Sequence, residues 1–577
     1  MNRIFISLTI ILVIIFPSVI FPQSAPITID AIFDDWTSNL TTVSDAPESI
    51  SGVDLLEMQV SNDEYFLFIR IKTNIEFDLL DNLMPQGICL YFDTDNNENT
   101  GLHLNAGYGA ELAIKFNERY ADYYVNPNSK VTFSDFSFRA SPTITSDEFE
   151  IAIKRDAVPD GIHPLFSSST IKILLINEEN NDSLPNGGTV FKYTFDETPV
   201  QAFTPTNIVK EDTNNIRILV YNTLADGLTK SARLPHFENI ITVLNPDIIG
   251  FSESRNTDAQ KVKVLLDDWL PIDNSDGWFV HKKIDGDLIT ASRWEIVQDW
   301  NTLSRQFPTL IDLPETYHTD LLFTNAHLKC CSGDILRQEE VDEYIAFILD
   351  AKSEGGIITL PNETPFVYGG DLNLVGYAQQ LSTLLTGNIQ NTSTYGEGGQ
   401  PDWDNTDVTA PICIQTDKRM DYTWRYDNSS YPPGKLDFII YSDAVMNAQK
   451  SFVLQTEVMP QHRLQLYGLN QNNTGIASDH FPVVTDFSIN ASDGILHQKM
   501  LKHSIYPNPA STKINISFNN AGRHLITITD LYGRNVFSDE MLSKQSSIDI
   551  KILTAGVYFI TIIAEDGSKE NHKLIKL

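Results

Sequence analysis

PFVYGGDLN, residues 365–373, carries an apolar, aromatic run straight into a carboxylate and an amide. Side chains alternate along a strand, so Asp371 and Asn373 share one face while Leu372 points into a core. The pattern recurs on both sides of this stretch. IRILVYNTL (216–224), ITVLNPDIIGFSE (241–253), LLFTNAHLK (321–329), KLDFIIYSD (435–443) and HFPVVTDF (480–487) each set polar chemistry at or just past an apolar, β-branched run. Such runs read as strands buried on both faces. Between them, ILRQEEVDEYIAFILDAKSEGG (335–356) reads as a helix, with Ile335, Val341, Ile345 and Ile348 on one face and Gly355 and Gly356 as its stop. Strands interleaved with helices over 214–487 give an α/β or α+β unit whose function gathers at strand ends.

The polar residues there make a chemical set. Asn222, Glu253 and Asp479 offer oxygen ligands of the kind magnesium or manganese takes. Glu253 closes a strongly apolar strand, where burying a carboxylate is costly unless a cation or a donor answers it. His480 with Asp437 forms a couple in which the carboxylate fixes the tautomer and raises basicity. Asp371 is suited to orient or deprotonate a water, Asn373 to donate to phosphoryl oxygens, and His327 to protonate the leaving oxygen. Together these groups supply what metal-assisted hydrolysis of a phosphate ester requires. Taken singly, Asn and Asp at such positions serve equally as caps and turn formers. Glu295, just past Trp294, reads either as a brace for His327 or as an exposed strand charge.

The ordered series YN (221–222), SE (252–253), NAH (325–327), GDLN (370–373), KLD (435–437) and SDH (478–480) resembles the endonuclease/exonuclease/phosphatase superfamily. Its members include pancreatic-type deoxyribonuclease, abasic-site endonucleases, neutral sphingomyelinases and inositol polyphosphate 5-phosphatases. The resemblance spans about 214–487 and implies a four-layer α/β sandwich. It implies that Asn222 and Glu253 hold magnesium, that Asp371 and Asn373 handle nucleophile and transition state, and that His480 is catalytic with Asp437 as its partner. Asp479 takes the place of the family's SDH aspartate. Ser252 stands where many relatives carry Gln, and Leu372 where Phe is common.

Around this unit the chain carries other material, as its 577 residues require of more than one core. Residues 1–24 read as a signal peptide, with Arg3 ahead of an apolar stretch broken at Pro17 and Ser18, so the mature chain is expected to lack a transmembrane anchor. Residues 25–205 read as a β-sandwich of about ten strands. Its ITIDAIFDDW opening (27–36) and DTDNN loop resemble carbohydrate-binding and haem-domain-like sandwiches, which leaves a glycan partner open. In that loop, DTDNNENTG (93–101), Asp93, Asp95, Asn97 and Asn99 offer alternate oxygens to calcium or, equally, make Asx turns. Residues 488–502 read as a linker, and 503–577 as a small β-sandwich. There YPNP (506–509), ITDLYGR (528–534) and LTAGVYFI (553–560) resemble the C-terminal sorting domain of type IX secretion cargo in Bacteroidetes. That resemblance implies the secretion machinery as partner and a secreted or cell-surface destination.

Export permits a disulfide, expected between Cys413 and Cys330 or Cys331, with Cys89 left in a core. A formal net charge of −35 disfavours a nonspecific nucleic-acid coat. It remains compatible with a carboxylate site that loads cations. The segment 402–437, with Arg419, Trp424 and Arg425, suits stacking of bases, packing of a lid or binding of a lipid headgroup. The favoured expectation is an extracellular nuclease. Alternatives are a phosphate-scavenging phosphodiesterase or phosphomonoesterase, a sphingomyelinase-like phospholipase, and a non-catalytic glycan-binding protein or adhesin.

Overall fold

The apolar runs around Asp371 assemble into two sheets. A computed structural model describes residues 24–490 and 503–577, apart from 81–86, 105–106, 126–127, 188, 274, 357, 519–522, 531–533, 543–544 and 565–568. The expected signal peptide before Ser24 and residues 491–502 of the expected linker lie outside the described residues.

One sheet has six strands, in the order Phe279–Lys282, Ile289–Ser292, Ile248–Ser252, Ile216–Asn222, Val483–Ile489 and Met446–Val453. The last of these in sequence runs to Ile489, into the stretch read as linker. The second sheet has five strands, in the order Ile296–Asp299, Gln306–Ile311, Leu321–His327, Phe366–Asp371 and Asp437–Tyr441. Alternation sorts each strand's residues between two cores. Ile216, Ile218 and Val220 of one sheet meet Phe323, Val367 and Ile439 of the other. Leu219 and Tyr221 turn the opposite way, onto Phe237 and Ile240 of the helix Leu234–Leu244. Leu322 and Tyr368 likewise turn outward onto Val341, Ile345 and Ile348 of the helix Asp334–Ala351. With both faces covered, inner strands such as Ile216–Asn222, Ile248–Ser252, Leu321–His327 and Phe366–Asp371 are buried throughout.

The helix departs from its expected face at one point: Ile335 is 79% exposed. The first turn is instead pinned by Asp334, which accepts from buried Arg337 at 2.6 Å. Another buried pair fixes the first sheet. Arg217 lies opposite Asp486 in the strand register, and its guanidinium grips that carboxylate through Nε at 2.5 Å and Nη2 at 2.7 Å.

The N-terminal sandwich is built from a five-stranded and a seven-stranded sheet, with a two-stranded ribbon beside them. The strands beyond the ten or so expected are pieces such as Leu102–His103 and Gly109–Ala110, too short to carry a period of two. Its own core includes Val60, Ile69, Phe92, Phe149 and Ile173. A second set, Ile29, Trp36, Phe66 and Phe68, shares a core with Ile216, Ile296, Tyr422 and Tyr441 of the α/β unit. Polar contacts reinforce the junction. Thr143 Oγ1 donates to the carbonyl oxygens of Leu374 at 2.9 Å and Lys435 at 3.3 Å, and Thr145 N donates to Gly376 O at 2.9 Å. The sandwich thus holds the chain just past Asn373 and just before Asp437.

At the C-terminus a three-stranded and a four-stranded sheet enclose Ile514, Ile516, Ile526, Ile528, Ile560 and Ile562. The expected disulfide is not formed, and all four cysteines are free. Cys413 is enclosed in the core between the two sheets of the α/β unit, whereas Cys330 and Cys331 sit in the turn ahead of Asp334, so the fold separates them. Cys89 is a core residue, as expected. Among the described residues, no helix is long and apolar enough to cross a membrane.

Candidate active site

Strand register alone brings three of the expected side chains together. His327 lies opposite Asp371 across a parallel pair, and Asp371 lies opposite Asp437 across an antiparallel pair. In the other sheet, Asn222 lies opposite Ser252, which places Glu253 just past the same edge. Because the sheets stack, the two edges meet. Asn222 Nδ2 donates to Asp371 Oδ2 at 2.9 Å and to Glu253 Oε1 at 3.2 Å.

Backbone conformation at this edge is unusual. Glu253 and Asn373 take φ of 54° and 49°. A left-handed backbone costs a non-glycine residue free energy and persists where surrounding contacts impose it. Glu253 Oε2 accepts from Ala225 N at 2.7 Å, one such contact. At Gly370 (φ 143°) a Cβ would stand 2.0 Å from Ala326 O, so only glycine lets the Asp371 strand lie this close to the His327 strand.

Asp371 Oδ2 is flanked by two imidazoles, with His327 Nε2 at 3.7 Å and His480 Nε2 at 3.6 Å. Each ring is held from behind. His480 Nδ1 meets Asp437 Oδ2 at 2.8 Å, the couple expected from sequence. His327 Nδ1 meets Asp287 Oδ2 at 2.7 Å. Glu295, the expected candidate brace, is exposed, and Asp287 occupies the position behind the ring. Asp287 stands in the turn before the strand Ile289–Ser292, and its only sequence signal is a carboxylate directly ahead of an apolar run in IDGDLIT (284–290).

The charges follow from these neighbours. Burial opposes the His480 cation, but Asp437 and Asp371 overcome it and lift the pKa to about 10. Burial pushes Asp437 up to about 6 against the pull of His480. Burial likewise opposes the His327 cation, yet the hydrogen bond with Asp287 and the Asp371 charge raise its pKa. Asp287 is held below the usual carboxylate value, burial being outweighed by its bond to His327. These shifts favour an imidazolium–carboxylate couple on either side of Asp371.

Thr423 and Trp424, inside the long 402–437 segment, also serve this edge. Thr423 Oγ1 donates to Asp437 Oδ2 at 2.7 Å and accepts from the backbone N–H groups of Leu436 and Asp437, each at 2.9 Å. Trp424 Nε1 donates to Asp479 Oδ2 at 3.1 Å. Asp479 is thus tied to the 402–437 segment, while Asn222 and Glu253 contact each other directly. Asn373 Nδ2 donates to Leu328 O at 3.2 Å, which ties the GDLN turn to the chain just past His327. Arg419 lies away from this edge, donating to Gln201 O at 2.9 Å. Arg425 is paired with Asp427 at 2.5 Å.

The donor set suits a hard divalent cation. Asp371, Asp437 and His480 offer ligand atoms within 4.8 Å of one another. Asp437 Oδ1 and Asp479 Oδ1 are buried with no hydrogen-bond partner, a state that is costly for a carboxylate unless a cation answers it. With His480 charged, the hard oxygens of Asn222, Glu253, Asp371 and Asp479 remain as donors, with no thiolate among them.

Residues 504–577 match the family described as the secretion system C-terminal sorting domain. The tail is therefore a type IX sorting domain, and the chain is a type IX export substrate of the Bacteroidetes kind, secreted or held at the cell surface. No curated protein matches the chain. Among solved structures, it is similar to an endonuclease/exonuclease/phosphatase from Beutenbergia cavernae at 12% identity, covering 63% of this chain and 100% of that one, with a TM-score of 0.28. It is similar to sphingomyelinase C from Streptomyces griseocarneus at 16% identity, covering 48% and 99%, with a TM-score of 0.28. It is also similar to D. rerio TDP2, solved with a single-strand DNA product, at 13% identity, covering 48% and 100%, with a TM-score of 0.30.

Proposed function

We propose that residues 214–487 form a four-layer α/β phosphoesterase that depends on magnesium or manganese and cleaves phosphodiester bonds, with extracellular nucleic acid as substrate. The observation that carries this reading is the flanking of one carboxylate, Asp371, by two imidazoles at 3.6 and 3.7 Å, each braced by its own aspartate. Glu253, Asn222 and Asp479 would hold the cation, which when bound neutralises phosphoryl charge and polarises the ester. Asp371 orients the attacking water. His480, kept charged by Asp437, donates through Nε2 to a phosphoryl oxygen. His327, kept charged by Asp287, delivers a proton through Nε2 to the leaving oxygen. The two positive rings oppose the negative charge that develops between them, commonly the largest catalytic contribution.

The preference for nucleic acid rests on the rim. Half-buried Trp424 beside Asp479 is followed by Tyr426, which is 51% exposed. Aromatic faces of this kind stack bases without regard to sequence. The N-terminal sandwich acts as a buttress for this rim, since Ser134 Oγ donates to Asp427 O at 2.9 Å and the Arg119 guanidinium lies 4.4 Å from the centre of the Tyr431 ring.

The test is a panel of DNA, RNA, bis-p-nitrophenyl phosphate, p-nitrophenyl phosphate and sphingomyelin, each with magnesium or manganese. Cleavage of DNA or RNA and of the diester is expected. Preference for the monoester or for sphingomyelin would move the substrate class, and inertness towards the whole panel would overturn the reading.

A further inference from the structure

A second group of acidic side chains lies in the N-terminal sandwich, where the catalytic reading assigns no role. Asp93 ends the strand Ile88–Asp93, Asp95 follows in the loop, and Glu111 sits beside the neighbouring strand Leu112–Lys115. Their carboxylate oxygens approach within 4.8 Å of one another. That spacing lets one ion with metal–oxygen distances of about 2.3–2.6 Å touch all three.

Most oxygens of the group already have partners. Asp93 Oδ1 accepts from Asn97 N at 3.0 Å, and its Oδ2 from Lys172 Nζ at 2.7 Å and Gly109 N at 3.3 Å. Asp95 accepts from Asn97 N and Thr100 Oγ1, both at 2.9 Å. Glu111 Oε2 accepts from Thr94 N at 2.8 Å and Thr94 Oγ1 at 3.3 Å. Glu111 Oε1 has no partner, although the residue is only 6% exposed. A buried carboxylate oxygen left bare is destabilising unless a proton or a cation meets it. The charges also fail to balance, because Lys172 offsets one of three carboxylates and leaves a deficit equal to one divalent ion.

We propose that Asp93, Asp95 and Glu111 form a binding site for one hard divalent cation of the calcium type, separate from the catalytic centre. The ligand set differs from the alternating loop residues read from sequence. Asn97 and Asn99 are exposed and bond to each other, and the third carboxylate comes from Glu111 on an adjacent strand. A hard ion with flexible coordination suits this mix of carboxylates and loop backbone better than magnesium, which demands stricter octahedral geometry. The ion would join the 93–101 loop to the strand beside it, and so stabilise the sandwich that buttresses the catalytic rim.

Native mass spectrometry of the full chain, dialysed with calcium chloride alone, tests this site. The E111Q variant is expected to carry one calcium fewer than the parent, and calcium is expected to raise the parent's melting midpoint but not that of the variant. D371N, altered in the catalytic centre, is expected to keep the ion at Glu111 and the calcium-dependent rise. Should E111Q fail to fold, D95N, at a half-exposed ligand, is expected to lose the same ion. An equal calcium count in parent and folded variants, or a parent that holds none, overturns the proposal.

Discussion

The two histidines beside Asp371 are braced by opposite routes. His480 takes its carboxylate from Asp437, whose strand pairs directly with the Asp371 strand. His327 takes its carboxylate from Asp287, in a turn that belongs to the other sheet. Both couples cross between the sheets, since His480 leads into Val483–Ile489 of the six-stranded sheet; they differ in that Asp437 opens a strand in register with Asp371, whereas Asp287 stands in a turn. A residue that borders an apolar strand leaves a trace in the sequence, whereas one in a turn leaves almost none.

The couples are also expected to differ in the step they serve, and several measurements separate them. The largest effect is expected at His480. H480A should lower hydrolysis of both DNA and bis-p-nitrophenyl phosphate by on the order of 10³-fold, as read by initial rates with magnesium. H327A should lower DNA cleavage by on the order of 10²-fold or more, yet largely spare bis-p-nitrophenyl phosphate, whose leaving group departs without a proton. Equal losses on the two substrates for H327A would remove its role as leaving-group acid.

Asp287→Asn should cost about 10-fold to 100-fold in kcat/KM on DNA and change the pH profile. Asp287 helps raise the His327 pKa, so its removal lets the ring lose its proton at lower pH, and the alkaline limb should move down. Glu295→Gln should leave both rate and profile unchanged, which sets apart the brace observed and the one expected from sequence. The smallest effect is expected in Thr423→Val. Deleting the hydroxyl that clamps Asp437 should lower unfolding free energy by about 1–3 kcal/mol in denaturant titrations, with the His480 couple weakened and the His327 couple intact.

The same distinction explains what the sequence revealed. Asn222, Glu253, His327, Asp371, Asp437 and His480 were legible because each borders an apolar strand, and register or sheet stacking then brings them to one edge. Asp287 and Thr423 were not, and Trp424 was singled out for stacking rather than as a donor to Asp479, since they reach the site from a hairpin turn and a long irregular segment whose paths depend on tertiary packing. The helix at 335–356 was legible in its middle but not at Ile335, where the buried pair of Asp334 and Arg337 took precedence over apolar spacing. The cysteine pairing failed for a related reason: sequence separation does not reveal that Cys413 is enclosed between the sheets while Cys330 lies in a turn past the end of a strand. The close join between sandwich and α/β unit was likewise invisible, because Trp36, Phe66 and Phe68 look like ordinary core residues of a free-standing domain.

The most direct measurement is bis-p-nitrophenyl phosphate turnover by the purified chain and its D371A variant, with and without magnesium or manganese. Metal-dependent release of p-nitrophenolate by the parent, and its loss in a folded D371A, is the expected result. Turnover that survives D371A, or a parent inert with both metals, would contradict the account.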